Sequence, residues 1–473
     1  MKSKTLFTML TMIGLTSIVT LSSFYKTTNQ LANTPDTDEA ISYKSNSKQT
    51  SQLGNLTLST AFENDYYTNN NREGNFYVEL KANKYKGNHE THTPLNISVV
   101  IDRSGSMAGD KMQNAKKAAK YIVDQLSSDD YLSVVIYDGE VTLLQPTISV
   151  CNKQAIKYKI DAITDRGGTN LMGGAMKGYE EVKRFYKPGY INRVLLLSDG
   201  QANEGITDPQ QIEKIVRNQN KENGISISTF GLGNDYNEDL MTAMAETGTG
   251  NYYFINNTEK IASIFKKELN GLMEVVAQNT TLTITIPDFV NIEKVYGYKY
   301  DQIGNQLTIH LHDIFSEETK GLLIKYRIQN GNNTAVKFIA KANYADATNK
   351  ENKVLATSNK ASFTNQLSVY NDYFNEWASA QVALYVSNEK LEVAMKEVDK
   401  GNYKQAREIV QENTIYMSKK SKLIEKSPEL KRATDNNSAY DENIKNVESM
   451  AEADVKFLQK STKSENYMIR NKK

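Results

Sequence analysis

The chain of 473 residues has one cysteine, seven prolines, one tryptophan and four histidines, and its 57 Lys and Arg balance 56 Asp and Glu to a formal net charge of +1. Each shortage closes off a class of protein. The single thiol, Cys151, permits no internal disulfide framework and reads as a small buried or helix-start residue. The missing charge excess argues against a nucleic-acid binder, because neutralising phosphates needs a basic stripe interleaved with aromatics, and no stretch supplies one. All four histidines, His89, His92, His310 and His312, fall outside the central segment 94–275, and no Gly-x-Ser-x-Gly elbow occurs, so a serine nucleophile there has no base. Long apolar runs are missing apart from Leu6 to Leu21. With Lys2 and Lys4 ahead of it, Met1 to Ser23 reads as a secretory signal, or as an uncleaved anchor, since no clean Ala-x-Ala follows. No cysteine lies near it to carry a lipid. The expectation is an exported protein of the periplasm, cell surface or medium, touching a membrane only if this segment stays uncleaved.

What the sequence does contain is organised around Ile97-Ser98-Val99-Val100-Ile101-Asp102-Arg103-Ser104-Gly105-Ser106-Met107. An uncharged β-branched run reads as a strand covered on both faces, the middle of a parallel sheet. Oxygen donors begin where it ends. Loops at the carboxyl ends of parallel strands are where ligands bind in open α/β sheets, so Asp102-x-Ser104-x-Ser106 is a candidate cradle for a small hard cation. Gly167-Gly168-Thr169 offers a further hydroxyl from a second loop, and Arg193-Val194-Leu195-Leu196-Leu197-Ser198-Asp199-Gly200 repeats the pattern of buried strand followed by carboxylate. Taken together, Asp102, Ser104, Ser106, Thr169 and Asp199 resemble the metal-ion-dependent adhesion site of von Willebrand factor A domains, with all five positions filled. The chain is similar to bacterial exported proteins of this type and, more distantly, to the heavy chains of inter-alpha-trypsin inhibitors.

The resemblance implies a specific chemistry. The two serines and Thr169 would bind Mg²⁺, with Mn²⁺ or Ca²⁺ as alternatives, directly or through water, while Asp102 and Asp199 neutralise it mainly through bound waters. One exchangeable position would then accept a Glu or Asp side chain from a protein partner. Specificity would come from the surrounding surface, Met107, Ala108, Gly109, Asn170, Met172 and Gln201. The bland reading is that Ser106 and Thr169 merely cap helices.

The remaining segments fall into order around that unit. Residues 24–52, rich in Asn, Thr, Ser, Lys and Asp, read as a flexible linker. Two period-two strands within 53–93 need partners elsewhere. Strands and helices alternate through 94–275, which gives a doubly wound, mainly parallel α/β sheet. There Gly231-x-Gly233 lacks the third glycine of a dinucleotide loop. Residues 276–369 alternate purely, as an antiparallel β sandwich, which the two earlier strands would complete. Residues 370–473 return to helical spacing, with Ala394–Val410 like one tetratricopeptide hairpin and a last charged helix expected to pack loosely and fray. Two rivals to metal-dependent adhesion stand beside it. One is a structural envelope scaffold holding its partner without metal; the other, weaker, is a hydrolase. His310-x-His312 places two rings on one strand face, solvent-facing or joined with His89 and His92 at zinc.

Overall fold

Leu95–Asp102 is buried at every one of its eight positions, as a charge-free β-branched run must be when helices cover both faces of a parallel sheet. The computed structural model that shows this describes residues 41–84 and 93–472, except 330, 332 and 348. Segment 1–23, His89 and His92 lie outside the described residues.

Four strands come first: β1 (Gln49–Leu53), β2 (Leu56–Phe62), β3 (Tyr66–Tyr67) and β4 (Glu73–Ala82). The α/β unit runs β5 (Leu95–Asp102), α1 (Asp110–Gln125), β6 (Tyr131–Tyr137), β7 (Val141–Ser149), α2 (Lys153–Asp161), α3 (Leu171–Arg184), β8 (Ile191–Ser198), α4 (Pro209–Asn223), β9 (Ser226–Leu232), α5 (Glu238–Thr247), β10 (Thr249–Ile255) and α6 (Ile261–Met273). Strands β11 (Val275–Thr285), β12 (Val290–Tyr296), β13 (Asp301–Ile303), β14 (Gln306–Phe315), β15 (Thr319–Ile328), β16 (Val336–Asp346) and β17 (Asn352–Phe363) follow. The chain closes with α7 (Leu367–Asp372), α8 (Glu376–Asp399), α9 (Tyr403–Ser418), α10 (Ser421–Lys426), α11 (Pro428–Ile444) and α12 (Glu452–Arg470).

The central sheet has the order β10-β9-β8-β5-β6-β7, parallel except for the antiparallel edge strand β7. Strand order reverses between β5 and β8, and there the two carboxyl ends lie side by side, the crevice where ligands bind in such sheets. Helices α1 and α6 pack on the Ile97, Val99 and Ile101 face, while α3, α4 and α5 cover Val100 and Val194. Helix α3 comes unusually close: a Cβ on Gly178 would stand 2.7 Å from Val100 Cγ2, so only glycine fits. Helix α6 is pinned by a buried ion pair, Arg193 Nη1 to Glu268 Oε1 at 2.9 Å, both about 1% exposed. Burial alone would raise the Glu268 carboxyl, but Arg193 and hydrogen bonds from Ser228, Asn251 and Tyr253 hold it low.

Beyond that unit two sheets face each other, β1-β2-β4-β15-β12 and β13-β14-β11-β16-β17-β3, antiparallel except for the short parallel pair of β17 with β3. β2 and β4 pair with each other and β4 with β15, so the α/β unit interrupts a single sandwich between β4 and β11. Phe62, Phe76 and Phe338 meet in the sandwich core with ring centroids 4.8–5.0 Å apart. Helix α8 covers the outer face of the first sheet, where Tyr385 donates to Gly321 O at 2.6 Å and Trp377 packs on Tyr77.

Three expectations fail here for one reason, contacts with residues far away in sequence. Residues 41–52, expected as linker, are tied down: Ile41 packs on Tyr370 and Phe374, Ser42 N donates to Asn371 O at 2.8 Å, and β1 pairs with β2. The last helix, expected to fray, docks firmly. Tyr467, 3% exposed, sets its ring edge-on to Tyr252 and accepts from Tyr252 N at 3.2 Å. Lys460 donates to Tyr236 O at 2.7 Å, and Arg470 bridges Glu246 and Glu392. His312 does not face solvent. It has φ +55° where the β11–β14 register shifts, its Nε2 is buried without a partner, and burial lowers its pKa to about 4. Cys151 is exposed and directly precedes Asn152, the N-cap of α2, which is the helix-start place expected for it rather than the buried one.

Two predictions follow from these contacts. Tyr467→Ala lowers the unfolding free energy in urea by about 3 kcal/mol; a helix that merely trailed from the fold would show no change. Burial holds Asp313 at a pKa of about 6, so its contribution to stability is present below the unfolded carboxyl value and lost as pH rises through 6. His312 works oppositely, its contribution being lost as pH falls from the unfolded imidazole range towards 4. Asp313→Asn therefore stabilises the protein more at pH 7 than at pH 4, by about 2 kcal/mol, measured by denaturant melts at both pH values.

Candidate metal centre at the strand ends

Strand β5 delivers Asp102 as its last residue, and a single 3₁₀ turn, Gly105–Met107, carries the chain over the end of the sheet. Asp102 and Asp199 are both 0% exposed, Ser104 and Thr169 only 2% and 3%, and Ser106 alone of the five is open to solvent. Ser104 Oγ lies 3.1 Å from Ser106 Oγ, which donates to Asp199 Oδ1 at 2.8 Å. Asp102 is oriented rather than bridged: Oδ1 accepts Ser104 N at 2.8 Å and Oδ2 accepts Ser198 Oγ at 2.7 Å. Burial pushes the Asp102 carboxyl up, the bonds from Ser198 and Ser104 pull it back, and the nearby Asp199 charge raises it again.

Thr169 reaches the same point from the loop before α3. Gly200 lies between it and Ser106: a Cβ there would stand 3.1 Å from Thr169 Oγ1 and 3.7 Å from Ser106 Oγ. Its loop is fixed by Arg166 N to Arg103 O (2.7 Å) and Gly105 N to Gly167 O (3.2 Å). Asp138 adds ion pairs to Arg103 at 2.9 Å and to Arg166 at 2.8 Å. Asn203 Oδ1 accepts Thr169 N at 2.9 Å, which holds the threonine backbone while leaving its hydroxyl uncommitted.

The capping alternative does not describe these hydroxyls. Asn170, not Thr169, caps α3 by accepting Gly173 N at 3.0 Å, and Gly109, not Ser106, is the N-cap of α1. Met107 and Met172, expected on the surrounding surface, are each 0% exposed and sit in the cores below, because the turn and α3 point them inward. Ala108, Gly109 and Gln201 are exposed and Asn170 partly so.

Two residues the motif does not name complete the site. Ser198 orients Asp102, and Lys111, from the first turn of α1, brings its ammonium to 2.5 Å from Asp199 Oδ2 and 3.2 Å from Ser106 O. Lys111 lies one turn before the buried Ala115 on the same side of α1, a position the helical spacing alone could have flagged. A cation thus already stands against Asp199. Among the described residues no group of three or more His, Cys, Asp or Glu side chains could hold a metal ion. This set differs in kind, with two carboxylates and three hydroxyls, an all-oxygen group suited to a hard divalent ion that retains waters. His310 and His312, with ring centroids 6.1 Å apart, gather no further ligand.

Known proteins bear on this geometry. The family model of the von Willebrand factor type A domain matches residues 96–267. The chain is 34% identical over 211 residues to the uncharacterized protein YfbK of Escherichia coli (strain K12), covering 44% of this chain and 36% of that protein. It is 31% identical over 162 residues to human inter-alpha-trypsin inhibitor heavy chain H3, covering 32% of this chain and 18% of the relative. The matched region therefore spans well under half the length of these relatives. Among solved structures, a von Willebrand factor type A protein from Catenulispora acidiphila superposes with a TM-score of 0.65 at 16% identity, over 83% of this chain and 91% of its own. The ArnB paralog VWA2 from Sulfolobus acidocaldarius gives 0.60 at 17% identity, over 87% and 99%. At these identities the likeness speaks to fold, and it extends through the sandwich and helices. The doubly wound sheet, its strand-end oxygen cluster and the family match together make residues 96–267 a von Willebrand factor type A domain.

Proposed function

We propose that this chain is an exported, non-enzymatic protein-binding module of adhesion type, in which Asp102, Ser104, Ser106, Thr169 and Asp199 hold Mg²⁺, with Mn²⁺ or Ca²⁺ as alternatives, and a partner's Glu or Asp completes the site. The observation that carries the reading is the make-up of the cluster: two fully buried carboxylates, two serine hydroxyls bonded to each other and to Asp199, and the uncommitted Thr169 hydroxyl, with Lys111 standing against Asp199. Bound there, a divalent ion would supply strong attraction for an incoming carboxylate. The residues around it do the rest. Ser198 and the Ser104 amide hold Asp102 in place, Asn203 presents Thr169, and Gly200 leaves the hydroxyls unobstructed. Lys111, on the flexible end of a long side chain, is the group that must withdraw from Asp199.

The same lysine gives the scaffold reading its support, since a Lys111–Asp199 pair satisfies the acid with no metal present. Catalysis finds less. Ser106 donates to Asp199, Asp199 is already paired to Lys111, and residues 94–275 contain no histidine to activate a serine.

Melting curves with and without magnesium separate the first two readings. At a magnesium concentration about 100 times the dissociation constant, wild type gains about 2.7 kcal/mol and Asp102→Ala gains none. Equal shifts in both proteins would overturn metal binding at these residues. Lys111→Met removes the competing cation, so magnesium affinity measured by calorimetry rises about tenfold or more; an unchanged affinity would show that Lys111 does not compete.

A further inference from the structure

A cavity of about 390 Å³ opens far from the strand ends in sequence, lined only by residues outside 94–275. It forms where the segment around Ile41 and Tyr43, the turn before β4, strand β15 and helices α7, α8 and α9 meet. Its size lies in the range of small-ligand pockets, roughly 300–1,000 Å³.

The groups that face it are polar, and several are left without protein partners. Glu63 uses one carboxyl oxygen to accept Asn75 Nδ2 at 2.7 Å. Tyr326 and Tyr370, 3% and 9% exposed, donate to no acceptor among the described residues. Ser379 Oγ, on a residue 6% exposed, is buried and unsatisfied. Such groups normally find bonds or are replaced by apolar ones, because leaving them unmade costs stability. Room for one of them is kept deliberately: a Cβ on Gly74 would stand 2.5 Å from the Tyr326 hydroxyl.

Charge narrows the occupant. Lys325 is paired with Glu73 and Glu293, Arg327 with the same two acids, Lys420 faces Glu63, and Arg72 donates to Gln329 O, Asn69 and Asn333, so each of these cations is already engaged. An anion would find its cations already engaged, and an ammonium would find Glu63 already balanced. Rings of Tyr66, Tyr67, Tyr326, Tyr370 and Phe374 supply flat apolar walls beside hydroxyls and amides. Flat rings beside planar polar side chains suit a neutral ligand with hydroxyls at its rim and C–H groups on its faces.

We propose that this cavity is a saccharide-binding site, taking a mono- or disaccharide whose hydroxyls bond to Glu63, Tyr326, Tyr370 and Ser379. The site acts independently of the Asp102 cluster, with which it shares no residue.

The test is calorimetry and saturation-transfer NMR with glucose, galactose, mannose and N-acetylglucosamine, together with maltose, lactose and chitobiose, on the full chain. At least one sugar is expected to bind wild type and Asp102→Ala alike. Glu63→Gln and Tyr326→Phe should each weaken it about tenfold, the loss of one hydrogen bond to a charged or buried group. Tyr326→Phe is expected to melt no lower than wild type without sugar, since it removes an unsatisfied hydroxyl, which separates a lost ligand contact from a lost fold. Absence of binding across the panel, or binding unchanged in both variants, overturns the proposal. Binding of putrescine in place of any sugar also overturns it, in favour of an ammonium site.

Discussion

Two carboxylates, Asp102 and Asp199, end adjacent parallel strands with no exposure to water, and like charges buried side by side demand a counter-charge. Everything near the carboxyl edge of the sheet answers that demand. Lys111 supplies one positive group at Asp199, Ser198 and the Ser104 amide supply dipoles at Asp102, and the hydroxyls of Ser104, Ser106 and Thr169 stand around the remaining space. The strands bring the acids together because parallel strands are joined by crossover helices, so all their carboxyl ends fall on one edge. No single loop could supply such a set.

Holding that set in register takes bracing from several directions. Asp138, at the end of β6, draws Arg103 and Arg166 together and so couples the Asp102 loop to the Thr169 loop. On the other side, Gly233, in the β9–α5 loop, comes so near that a Cβ there would lie 3.7 Å from Lys111 Nζ. The same loop is gripped by the C-terminal helix, where Lys460 bonds to Tyr236 O and lies over the Tyr236 ring at 4.2 Å. The helical end of the chain is thus continuous, through packed and bonded groups, with the neighbourhood of Asp199. The sandwich meets the same unit through Arg193, whose guanidinium lies over Phe315 while its charge is spent on Glu268.

Much of this was legible because local pattern and tertiary environment agree where a parallel sheet is buried. Ile97–Asp102 and Arg193–Asp199 announce themselves as covered strands ending on acids, and Gly167-Gly168-Thr169 as the turn between them. What escaped depends on partners distant in sequence. The composition of residues 41–52 suggests a tether, yet Asn371 and Tyr373 at the far end of the chain pair with them. The charged face of α12 suggests solvent, yet Lys460, Lys463 and Arg470 each find carboxylates or carbonyls on other elements. Met107 and Met172 were misplaced because a motif gives order along the chain and not the direction in which a side chain points. Lys111 belongs to no oxygen-ligand pattern, and only the fold brings its ammonium from the next helix to Asp199.

The central claim is that Asp102, Ser104, Ser106, Thr169 and Asp199 share one divalent ion that competes with Lys111. A crystal structure grown with Mn²⁺ tests it most directly through the metal's anomalous signal. The account predicts a single anomalous peak among those five side chains, with the Lys111 ammonium withdrawn from Asp199. Crystals soaked to saturation that show no peak there, with Lys111 still bonded to Asp199, would contradict it.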